Sequence, residues 1–281
     1  MWDTQSEAEE AFRNRLIAGV GAVVVLGLIG LGVYYRYYAH PQQPPVVPAT
    51  RPQTAKPPSA SGIENPVPSD GTPLDAKALP ALNDSDSFVR DSLAGLLGSE
   101  QVQKFLVPQS IIRHVVVTVD NLPRKKVAVE LRPIKPTPGQ ATAASQGDVT
   151  TLSPASYARY APLISVIQST DAKSLATVYF QLYPLLQQAY EDLGYPGQYF
   201  NDRLVQVIDD LLAAPDLKGP IAVTRPKVFY EYADPQLEER SAGQKLLIRM
   251  GAANEAIIKA KLRDIRASVA ARPPDTAAPQ N

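Results

Sequence analysis

Few side chains in this sequence could do chemistry, and their types narrow that chemistry before any element is placed. Of 281 residues none is cysteine and two are histidine, His40 and His114. Zero cysteine removes thiol nucleophiles, disulfide scaffolds and Cys-based zinc sites together. Neither histidine has a second at i+3 or i+4, so there is no HExxH-type pair and no metal site is assigned. His40 stands beside Pro41 with no partner in sequence, and His114 lies on an apolar run that suits a structural, half-buried histidine better than a base. Ser241-Ala242-Gly243-Gln244-Lys245 lacks the GxxxxGK[ST] spacing of a phosphate loop. Its serine reads instead as a helix cap, and no nucleotide or other cofactor is expected.

Carboxylates are the remaining catalytic currency. Glu191 and Asp192 are adjacent and diverge on a helix, whereas Asp202 and Asp209 are seven apart and share a side. Two helical turns separate that pair by about 10.5 Å along the axis. Glycoside hydrolysis needs two carboxyls roughly 5–9.5 Å apart, one with a raised pKa. The pair therefore sits at the outer limit, and an ordinary solvated helix face accounts for it better. No catalytic residue is assigned. Hydrolysis of cell-wall glycan through carboxylates stays open as the alternative function.

The densest window runs from Tyr179 to Arg203. Tyr183, Tyr190, Tyr195 and Tyr199 supply amphipathic rings, Gln187 an amide, and Asp202-Arg203 a fixed charge pair. Tyrosine and arginine suit binding surfaces because they offer rigid area with a polar handle. A Tyr-rich core edge whose hydroxyls cap loop backbone would use the same residues. These seven side chains are the candidate binding groove.

The charge balance argues about partners. Lys+Arg number 28 and Asp+Glu 28, so nothing draws the chain to nucleic acid. Proline, at 27 residues, is about double its usual level of roughly 5%, and it is unevenly distributed.

Leu16 to Val33 is an apolar run of eighteen residues without a charge or side-chain hydrogen bonder. At 1.5 Å per residue it spans about 27 Å, close to the roughly 30 Å hydrocarbon core of a bilayer. Arg13 and Arg15 precede it, and Tyr34, Tyr35, Tyr37 and Tyr38 follow as an interfacial belt. A cleaved signal peptide would have a shorter apolar core followed by small residues. The run reads as an uncleaved, single-pass anchor in the lipid bilayer, spanning 16–38 with its belt. Residues 1–15 are read as a cytoplasmic tail, with the C-terminal portion on the far side of the membrane.

Residues 39–80 hold eleven prolines between Pro41 and Pro80 and almost no large apolar side chains. Such a segment buries too little surface to offset its ordering entropy, which makes it a disordered, Pro-rich linker. Extended as polyproline II, forty residues reach at most about 120 Å. Residues 81–272 suffice for one single-core domain, and 273–281 read as a disordered tail.

Within the domain the periodicity is mostly helical. Helices are expected over Asp84–Gly98, Glu100–Leu106, Asp171–Leu193 (with Pro184 kinking or breaking it), Asn201–Ala213 and Asn254–Val269. A helix from Ser153-Pro154 to Ile167 and two short pieces from Asp234-Pro235 and Ser241 complete the set. Ser110–Leu122 is ambiguous, since Val115 to Val119 suits a strand by composition; helix is the reading taken. Short strands are expected before Thr151, at Ile221–Val223 and at Val228–Tyr232. The fold class is mostly α, an α-dominant α+β domain with a minor β element.

Several strings resemble a known family: Leu79 to Asp86, Val117-Thr118-Val119-Asp120-Asn121-Leu122-Pro123-Arg124, Tyr183 to Tyr190, Leu193-Gly194-Tyr195-Pro196, Phe200 to Leu204, Ala233-Asp234-Pro235, Ser241 to Lys245 and Arg249-Met250-Gly251. On these the chain resembles a bacterial family known only as a domain of unknown function, number 3014 in its series, over most of residues 79–266. The resemblance implies a Gram-negative envelope protein, which would put the anchor in the bacterial inner membrane and the C-terminal domain in the periplasm; it brings no activity, cofactor or catalytic residue. A non-catalytic binding or scaffold module for an envelope protein or cell-wall partner is the function expected.

Overall fold

A computed structural model describes residues 63–67 and 79–270. The apolar run Leu16–Val33, expected as an anchor, lies outside them, and among the described residues no helix is long and apolar enough to cross a membrane.

The domain is mostly helical. Helices α1 (Asp86–Leu97) and α2 (Ser99–Phe105) are separated by Gly98, whose positive φ of 84° ends the first and starts the second. Helix α3 covers Ile111–Asn121, which resolves the ambiguous Ser110–Leu122 stretch. The deciding interaction is not local. Asp86 of α1 accepts the backbone N–H groups of Ser110 (2.7 Å) and Ile111 (2.8 Å), the first free donors of α3. The β-branched run then buries Ile111, Ile112, Val115, Val116 and Val119 at helical spacing.

Two hairpins form the minor β element. Strands β1 (Ala143–Gln146) and β2 (Val149–Leu152) are antiparallel, as are the two-residue strands β3 (Val223–Thr224) and β4 (Glu231–Tyr232). A bridge from Thr151 to Ala222 joins them over a small core of Leu152, Ile221, Val223, Tyr232 and Ile248.

The region expected as one helix from Ser153 divides into α4 (Pro154–Ala158) and α5 (Ala161–Ser169). Ser153 does not cap α4; its hydroxyl pairs with Thr142 at 2.5 Å. Helix α6 continues from Ala172 to Asp192 through Pro184, so the chain is not broken into two helices there. Proline removes one backbone bond of the helix, but Leu182, Leu185 and Leu186 are buried on either side of it and hold the segment in register. Asp171 caps α6 by accepting the N–H of Ser174 at 2.8 Å. Helix α7 (Phe200–Leu212), the short α8 (Pro235–Glu238), α9 (Ala242–Met250) and α10 (Ala252–Val269) complete the chain.

The main core lies where α6 packs on α3 and α10, and α7 packs on α10 and α3. Phe200, Leu204, Leu175 and Ile208 are among its fully buried side chains. Gly251 lets α9 turn directly into α10. Its φ is +88°, and a Cβ there would fall 2.8 Å from Cδ1 of Tyr157.

Two glycine substitutions should therefore act with opposite sign. Gly251→Ala meets both a strained backbone and the Tyr157 ring and should lower unfolding free energy by about 1–3 kcal/mol. Gly95→Ala lies within α1 with nothing inside 4 Å of the added carbon and should raise it by up to about 1 kcal/mol. Urea denaturation followed by circular dichroism measures both.

Candidate functional site

The C-terminus of α3 places a single carboxylate, Asp120, against the start of α7. Thr118 and Asp120 interrupt an otherwise apolar buried face, and Asp120 is 3% exposed. Such a charge persists in a core only when paired and hydrogen-bonded. Arg203 of α7 supplies both, with Nε 3.1 Å from Oδ1 and Nη2 donating to the Asp120 carbonyl at 2.7 Å. Arg124 donates to Oδ2 at 2.5 Å, and the Tyr195 hydroxyl donates to the same oxygen at 3.2 Å. Arg124 also donates to the Tyr195 oxygen at 2.8 Å. Partial burial works against the Arg124 guanidinium, but Asp120 and Tyr195 beside it outweigh that and raise its pKa.

The turn after α3 is held from its other side too. The N–H groups of Ala242 and Gly243, at the start of α9, donate to the carbonyls of Arg124 (2.7 Å) and Leu122 (2.9 Å). Free donors of one helix thus satisfy free acceptors of another.

The loop between α6 and α7 is set by Gln187. Its Oε1 accepts the Tyr183 hydroxyl at 3.1 Å and the Phe200 N–H at 2.8 Å, while its Nε2 donates to the Gln198 carbonyl at 2.7 Å. The ring of Tyr195 then stacks on Tyr190, centroids 4.6 Å apart and 16° from parallel.

The seven candidate side chains accordingly fall into two places, not one groove. Tyr190, Tyr195 and Arg203 gather around Asp120. Tyr183, Tyr199 and Asp202 lie on the other side, beside Asn201, whose Oδ1 accepts the Tyr179 hydroxyl at 2.8 Å. Gln187 holds the loop between them. Tyr190 is buried, Tyr195 half-buried and Tyr199 exposed. Burial pushes the Tyr183 and Tyr190 hydroxyls up to about 12 each; the charges near Tyr183 include Asp202, and those near Tyr190 include Arg203 and Asp120.

Sequence reasoning missed Asp120, Arg124 and Asn201 as site residues. The available signal was a lone carboxylate on the apolar face of α3, followed four residues later by arginine.

The carboxylates considered for hydrolysis are engaged within the chain. Asp202 accepts N–H groups of Glu64 and Asn65, and Asp209 pairs with Arg266 at 2.5 and 3.0 Å. Asp210, raised by burial, accepts the Ser241 hydroxyl at 2.7 Å. Glu255, raised by burial, lies 2.9 Å from the buried Lys259. A small apolar cavity between α1, α3, α6, α7 and α10 measures about 30 Å³, and of its lining only Tyr179 carries a hydroxyl, already bonded to Asn201. Among the described residues no three of the His, Asp and Glu side chains are placed to hold a metal ion. His114 is half-buried on α3, its pKa lowered by burial and partly restored by Asp86.

A family model described as "Protein of unknown function (DUF3014)" matches residues 111–266, which include Asp120, Arg124, Tyr195 and Arg203. Neither the curated proteins nor the solved structures contain a match.

Because the Tyr183 and Tyr190 hydroxyls are raised above 10, the folded state holds their protons more tightly than the unfolded chain. The stability this confers is intact below about pH 10 and is lost as pH climbs toward 12. Tyr183→Phe and Tyr190→Phe should each flatten that alkaline fall, read as urea unfolding free energy between about pH 9 and 12. An unchanged slope in both variants would contradict the burial assigned to these groups.

Proposed function

We propose, for a chain that belongs to the DUF3014 family, the role of a non-catalytic binding or scaffold module. It is anchored in the inner membrane by Leu16–Val33 and presented to the periplasm. The observation that carries the binding role is the corner around Asp120. Two guanidiniums share one buried carboxylate, and Arg124 keeps 52% of its side chain exposed. The corner therefore offers a surplus positive charge, already oriented, next to the half-buried Tyr195 ring. Leu193 adds exposed apolar area on the same loop at 38%.

A pre-oriented arginine beside an aromatic ring is the chemistry of a contact surface, because little rotamer freedom remains to be lost on binding. The complementary partner carries carboxylate or phosphate groups, as an acidic segment of an envelope protein or an anionic wall polymer would. The carboxylates engaged within the chain weigh against wall-glycan hydrolysis. Incubating the full-length protein with purified wall material should release no product.

In-cell crosslinking and recovery through a tagged full-length chain tests the surface. Arg124→Glu and Tyr195→Ala should each cut partner recovery at least about tenfold, the effect of ~1.4 kcal/mol, whereas Lys218→Glu should not. Equal recovery from all three would remove the site. A C-terminal reporter fusion active in the cytoplasm would overturn the placement of the domain.

A further inference from the structure

The other half of the Tyr183–Arg203 window already holds a ligand, and the ligand is part of the chain. The segment 63–67, from the middle of the Pro-rich linker, lies against the first turn of α7. Asp202 reads it through two consecutive backbone donors, the Asn65 N–H to Oδ1 at 2.6 Å and the Glu64 N–H to Oδ2 at 3.3 Å. The Asn65 side-chain amide donates to the same Oδ1 at 3.2 Å. Asn201 reads the opposite polarity, its Nδ2 donating to the Asn65 carbonyl at 2.9 Å.

Asn201 is built to stay in one orientation. It is 0% exposed. Its second amide hydrogen goes to the Val269 carbonyl at 2.9 Å, and its oxygen accepts from Tyr179 at 2.8 Å. All three of these bonds hold together only while residue 65 is in place. The linker is matched to the site as well. Pro66 biases Asn65 away from the helical region, which narrows the conformations from which its N–H, side-chain amide and carbonyl can engage at once. Part of the ordering entropy is thus removed before docking.

We propose that the Asn201–Asp202 corner is a peptide-binding site for an Asn-Pro segment. Its resident ligand is the chain's own Glu64-Asn65-Pro66, which clamps the linker onto the domain at mid-length. The clamp stands independently of the partner surface at Arg124, because Arg203 and Asp202 diverge on the first turn of α7 and engage different elements. With a membrane anchor ending at residue 38, the clamp leaves residues 39–62 as the spacer. Maximum reach then falls from about 120 Å to about 75 Å at ~3.1 Å per residue. The linker in that case sets a shorter upper limit on the stand-off of the domain.

The absence of cysteine makes the test clean. Spin labels are attached to Ile63→Cys, 47% exposed in the linker, and to Ala267→Cys, exposed near the end of α10. Pulsed dipolar spectroscopy is then run on the full-length protein in detergent. One narrow distance distribution is expected. Asn65→Pro removes both donors of residue 65 without touching the domain and should abolish the narrow peak; Asp202→Ala should do the same at unchanged far-ultraviolet circular dichroism. A broad distribution in the parent, or a narrow peak that survives Asn65→Pro, overturns the clamp.

Discussion

The domain is organised around one carboxylate taken out of water. Asp120 sits at the end of a buried helical face, and an unpaired charge there would be costly by several kcal/mol. Arg203, Arg124 and Tyr195 remove that penalty together, and each belongs to a different part of the chain. Satisfying one group therefore fixes the start of α7, the turn after α3 and the loop between α6 and α7. The N–H groups of α9 close the same turn from the far side. The geometry offered to solvent, a half-exposed arginine beside a stacked tyrosine pair, follows from the need to neutralise Asp120.

Legibility from sequence tracks how local the deciding interaction is. Helices α6, α7 and α10 carry their own apolar periodicity, and Asp171, Asp234 and Ser241 cap within three residues. These could be read directly. Helix α3 was ambiguous because its first donors are satisfied by Asp86, 24 residues from Ser110. Residues 153–167 divide where Tyr160 is buried in the core, a tertiary reason that no spacing reveals. Pro184 misleads in the other direction, because local propensity argues for a break that packing overrides.

The candidate site was legible as a window but not as an arrangement. Its composition marks Tyr183 to Arg203, yet adjacent residues at the start of a helix point about 100° apart. Asp202 and Arg203 consequently serve different neighbours. The partners that complete each half, Asp120 with Arg124 on one side and Asn65 on the other, lie more than sixty residues away or inside the linker. A linker read from composition alone carries no sign of docking, since Asn-Pro is an ordinary pair in such segments. The two halves of the window Tyr183 to Arg203 thus face different neighbours, Asp120 and Arg124 on one side and residues 64–65 on the other.

The most direct measurement is a double-mutant cycle between Asp120 and Arg203 in the full-length protein. Unfolding free energies would be taken for Asp120→Asn, Arg203→Gln and the pair together. If the buried carboxylate organises the corner, the two substitutions are strongly coupled, by about 1–3 kcal/mol. Additive effects, with coupling near zero, would contradict it: Asp120 and Arg203 would then be neighbours that tolerate each other, and the exposed arginine would have no anchor.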